Sequence, residues 1–99
     1  MLLLAVGCGP RPCPTYDSLR PSLERSCYKC HSTSVRGANR QGSPVDANYD
    51  DEASLATHIE AIVSRAETKG AQHMPPASST LPDLTSAEVQ ALRDYGACH

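Results

Sequence analysis

Apolar positions recur along this chain with helical spacing in three separate stretches. Leu19, Leu23 and Cys27 fall four residues apart and so share one helix face. They predict a first helix that starts near Asp17 or Ser18 and runs into Cys30. Pro21 is tolerated only in a first turn, where its missing N–H costs little, and this sets the start late. Leu55, Ile59, Ile62, Val63 and Ala66 form an amphipathic stripe for a second helix over 50–67. Its opening acids, Asp50, Asp51 and Glu52, suit the positive end of a helix dipole. Thr85-Ser86-Ala87-Glu88 has the form of a capping box and opens a third helix. Val89, Leu92 and Tyr95 or Gly96 give that helix its buried face, and Gly96 is a plausible stop.

Between these stretches the pattern breaks. Residues 32–49 are rich in Ser, Gly, Asn and Arg and read as a long loop with room for one short helical turn. A second loop over 70–83 carries Met74-Pro75-Pro76. No segment alternates as a half-buried strand does, so the fold class is all-α, three main helices with long loops.

Composition sharpens the picture. With 99 residues the chain fits one domain, yet it has no Phe and no Trp, and its four Tyr are the only aromatics. So thin a core in so small a domain calls for a staple or a bound apolar group. Net charge is −2, with two lysines and no basic run, which argues against nucleic-acid binding. Five cysteines, at 8, 13, 27, 30 and 98, point to an oxidising compartment, a metal or covalent cofactor chemistry.

The start of the chain reads as a shortened export signal. Leu2-Leu3-Leu4-Ala5-Val6 is apolar, and Gly7-Cys8 resembles the end of a bacterial lipobox, with Ala5 standing where that pattern prefers Leu. The expected division is a signal or lipobox segment over 1–8 with Cys8 lipidated, a proline-containing tether over 9–15, and a domain over 16–99. No segment approaches the ~20 apolar residues of a spanning helix.

The strongest chemical signal is Cys27-Tyr28-Lys29-Cys30-His31, which has the C-x-x-C-H form of a c-type haem attachment site. On a helix, positions i, i+3 and i+4 lie on one side, so both thiols and the imidazole can address one flat ligand. The thiols add across two haem vinyl groups, and His31 reaches the iron. Tyr28 and Lys29 point elsewhere. A zinc site would want a second ligand pair, and a thioredoxin-like motif would want a βαβ context. A structural disulfide between Cys27 and Cys30 is the third competing reading. Met74 is the candidate sixth ligand, with the stiff Pro75-Pro76 behind it; His73, His58 and His99 are its rivals. Cys98-His99 is no second attachment site, because Tyr95 stands where the first cysteine is required.

Together these features, over residues 16–98, resemble a class I cytochrome c: a helix ending in the attachment motif, then Met74-Pro75-Pro76, then a last helix opened by Leu84-Thr85 with Glu88. The resemblance implies one covalent haem c, first and last helices that cross, and a haem edge open to redox protein partners. It also implies a periplasmic one-electron carrier that is not itself an enzyme. The alternatives are a haem domain of a larger redox complex, or a haem enzyme or gas binder with an open sixth site. In such a fold the flanks of the first and last helices come close, so a Cys13–Cys98 disulfide is expected. Two free thiols, or a Cys8–Cys13 pair in the absence of lipid, are the other options. Cys8 lipidation would tie the domain to a membrane.

Overall fold

The computed structural model describes residues 12–76 and 79–98. Among these, three α-helices and one 3-10 turn carry the regular structure, in the order α1 (Tyr16–Ser26), the 3-10 turn (Gly37–Arg40), α2 (Glu52–Glu67) and α3 (Ser86–Cys98). No strand occurs among the described residues.

Helix α1 begins earlier than Pro21 suggests. The Thr15 hydroxyl accepts from the Ser18 N–H at 3.1 Å and caps the first turn. The Tyr16 hydroxyl donates to the Tyr49 carbonyl at 2.8 Å and pairs with the Tyr28 hydroxyl at 3.0 Å. These contacts hold the first turn in place, and Pro21 lies inside the helix at the cost of one backbone bond. The helix also stops sooner, at Ser26, with Cys27 as its C-cap.

Helix α2 is capped by Asp51, whose carboxylate accepts from the Ser54 N–H at 2.9 Å. Asp50 lies outside the helix and instead accepts the Thr33 N–H and hydroxyl, tying the long loop to the start of α2. The stripe is as expected: Leu55, Ile59, Ile62 and Val63 are buried. Helix α3 opens with the capping box, Glu88 N–H to Thr85 Oγ1 at 3.1 Å and Thr85 N–H to Glu88 Oε1 at 2.8 Å. Gly96 is not its stop, for the helix continues to Cys98. Its role is close packing: a Cβ there would lie 2.7 Å from Ile59 Cγ2.

The core lies where the three helices meet, and Leu23, Leu55, Leu92 and Tyr95 are its most enclosed members. Each buried side chain of this size contributes about 1.5–3 kcal/mol. Helix α3 meets α1 through Glu88, which accepts from Ser22 Oγ at 2.8 Å and from Arg25 Nη2 at 2.5 Å. Cys13 and Cys98 are joined in a disulfide with Cα atoms 6.0 Å apart, closing the flanks of α1 and α3.

Candidate functional site

The attachment motif follows α1 as a turn of its own. Cys30 N–H donates to the Cys27 carbonyl at 3.2 Å, and His31 N–H to the same carbonyl at 2.9 Å. The second of these spans four residues, as a helical bond does. It winds Cys27, Cys30 and His31 to one side, although the helix proper has ended. Tyr28 does more than point away: it packs against the core and bonds Tyr16.

All three side chains line one cavity of about 400 Å³. Its walls also include Tyr49, His58, Ile62, Met74, Pro75 and Leu84. Cys27 and Cys30 are both free thiols, not bonded to each other. Burial pushes the Cys27 thiol up to about 12, which favours its protonated form.

His31 is held in one orientation. Its Nδ1 lies 3.1 Å from the Ala47 carbonyl, and its ring stacks on Tyr49 with centroids 4.5 Å apart. A carbonyl only accepts, so Nδ1 carries the proton and Nε2 keeps a free lone pair. Burial lowers the imidazole pKa, which keeps that lone pair available. An imidazole fixed at Nδ1 and basic at Nε2 is the arrangement a metal-bound histidine requires.

Met74 reaches the same cavity from the second loop. Its N–H donates to the Arg65 carbonyl at 3.1 Å, and the Met74–Pro75 bond is cis. Both ring nitrogens of His73 are engaged elsewhere. Its Nδ1 pairs with the Thr68 carbonyl at 2.7 Å and its Nε2 with Asp83 Oδ1 at 2.8 Å. His58 Nδ1 pairs with the Ser54 carbonyl at 2.8 Å, and the residue lines the cavity beside Tyr49. His99 and Cys8 lie outside the described residues. Among the described residues no group of three or more Cys, His, Asp or Glu is gathered to grip a metal ion. No helix there is long and apolar enough to cross a membrane.

Arg40 was invisible in the sequence pattern. It is 5 % exposed and anchors the long loop by bonds to five carbonyls and Asn48. An arginine in a polar tract ordinarily signals a solvated surface, and no local spacing marks this one as buried.

Two thiols and a preset imidazole on one side, with a thioether sulfur on the loop that completes the wall, fit a covalently held haem. The cytochrome c family model matches residues 22–95, a span that begins within α1 and ends within α3. No curated relative and no solved structure matches the chain.

Proposed function

We propose that this chain, which belongs to the cytochrome c family and so carries covalently bound haem c, is an exported one-electron carrier with His31 and Met74 as its axial ligands. Cys27 and Cys30 would hold the haem by thioether bonds, each S–H adding across a vinyl double bond. Bound haem supplies an iron that exchanges one electron between two stable oxidation states. The chain supplies the rest. His31 is preset at Nδ1 by Ala47, as described above. Met74 sits on a loop stiffened by two prolines and fastened at its N–H to Arg65. Tyr49, Ile62 and Leu84 furnish apolar surface that limits water access.

The observation that carries this reading is the convergence of Cys27, Cys30, His31 and Met74 on one cavity. With His31 and Met74 both committed to holding the group, the site would leave no position for a substrate. The expected partners are therefore redox proteins that dock at the cavity rim. Export to the periplasm accords with a disulfide outside the haem site, since oxidising compartments favour such bonds. Lipidation at Cys8 would add a membrane tether without a spanning helix.

Protein matured in a haem-attaching host tests the assignment directly. Acidified organic solvent should leave the colour on the polypeptide. The reduced-minus-oxidised spectrum should be low-spin, with a weak sulfur-to-iron band in the oxidised form. Haem that extracts freely would overturn the attachment, and a high-spin spectrum would overturn the ligand set.

A further inference from the structure

The buried guanidinium of Arg40 lies one oxygen away from His31. Its Nη1 donates to the Ser32 carbonyl at 3.0 Å, the Val35 carbonyl at 3.1 Å and Asn48 Oδ1 at 2.9 Å. Its Nη2 donates to the Pro44 carbonyl at 2.5 Å and the Ala47 carbonyl at 3.2 Å. The Ala47 oxygen is the same atom that accepts from His31 Nδ1 at 3.1 Å. Both lone pairs of that carbonyl are thus engaged, one by the imidazole and one by a cation.

We propose that Arg40 is a positioning residue for His31, acting through the carbonyl they share, and that its buried charge raises the reduction potential of the bound haem. The proposal rests on the assignment of haem to this cavity. Arg40 acts on the site in two ways. Its fork fixes the Ala47 oxygen in place, which keeps the His31 Nδ1–H bonded and the imidazole in one orientation. The cation is also poorly screened at 5 % exposure, and among the described residues its partners are all neutral oxygens. A positive charge so placed disfavours the extra positive charge of the oxidised centre. The fork geometry matters as well. Lysine has one ammonium and cannot span the carbonyls that Nη1 and Nη2 hold apart.

The test uses the haem-loaded protein with Arg40→Gln, which removes the charge, and Arg40→Lys, which keeps the charge and loses the fork. The readouts are the midpoint potential by spectropotentiometry and the exchange rate of the His31 ring N–H by NMR in the reduced state. In Arg40→Gln the midpoint should fall and the ring N–H should exchange about tenfold faster, the loss expected when one supporting hydrogen bond is removed. In Arg40→Lys most of the potential should return while the fast exchange persists. If Arg40→Gln does not accumulate, Arg40→Lys alone decides, and wild-type exchange in it overturns the proposal. A role confined to tying the loop would lower the melting temperature of both variants and leave the potential where it was. That outcome, with the visible spectrum intact, also overturns the proposal. A wild-type protein without a histidine-ligated spectrum would instead overturn the haem assignment, and this proposal with it.

Discussion

Replacing Gly96 by alanine should destabilise the protein, although alanine is the better helix former. An ideal Cβ at Gly96 falls 2.7 Å from Ile59 Cγ2 and 3.5 Å from Ile59 Cβ. Carbon atoms prefer separations of about 3.5–4.0 Å, so the nearer contact is too short by roughly 1 Å. The methyl it meets belongs to a β-branched side chain on a helix, which has essentially one χ1 rotamer and cannot swing aside. Helices α2 and α3 must therefore part. Overpacking of this kind costs about 1–3 kcal/mol, whereas the glycine-to-alanine gain in a helix is about 1 kcal/mol. The net loss is about 1 kcal/mol, or about 4–8 °C in melting temperature for a domain of this size. Far-ultraviolet circular dichroism of the haem-loaded protein during heating measures it. In an Ile59→Ala background the clash is gone, and the same Gly96→Ala change should then stabilise by about 1 kcal/mol. A higher melting temperature for Gly96→Ala alone would refute the contact.

Met74→Ala should open the iron, shift it to high spin and admit carbon monoxide; an unchanged spectrum would assign the sixth position to another residue. Glu88 titrates at about 2 in the folded protein, against an ordinary value of 4.5, chiefly because it accepts from Arg25. Its contribution is therefore complete above about pH 4.5 and is lost as pH falls toward 2, a loss that denaturant melts across this range should show. Glu88→Gln should cost about 1 kcal/mol at pH 7 and flatten that acid limb. The Cys13→Ser, Cys98→Ser double variant removes a bridge across 85 residues. The chain-entropy model gives about 4.5 kcal/mol as its upper limit. A lower denaturant midpoint with an unchanged visible spectrum is expected; a change in spectrum would mean that the bridge also shapes the haem site.

Much of the fold was legible because its signals are local. The stripe of Leu55, Ile59, Ile62 and Val63, and the reciprocal bonds of Thr85 and Glu88, depend only on spacing within one helix. The end of α1 was not legible in this way. Cys27 continues the spacing of Leu19 and Leu23, but its backbone turns off at the cap, and the motif forms by a separate turn. Pro21 misled because one lost backbone bond weighed less than the anchoring of Tyr16 by Tyr49 and Tyr28, partners distant in sequence. Gly96 read as punctuation because its close neighbour, Ile59, lies on another helix. At the site, the residue types of the attachment motif carried the chemistry. The partner that orients His31 was hidden, since a backbone carbonyl at Ala47 has no sequence signature. Arg40 was hidden for the same reason, as five of its six acceptors are carbonyls.

The Cys13–Cys98 bridge also decides how the domain responds to tension. Any pull applied through chain before Cys13 and after Cys98 runs across the sulfur–sulfur bond and bypasses the helices. The 85 residues of separation between the two cysteines form a slack loop under that load. In a single-molecule stretching experiment the oxidised protein should release none of this length. After reduction, unfolding should release up to roughly 300 Å, the extended span of that many residues at about 3.5 Å each, less whatever the haem attachment still ties together.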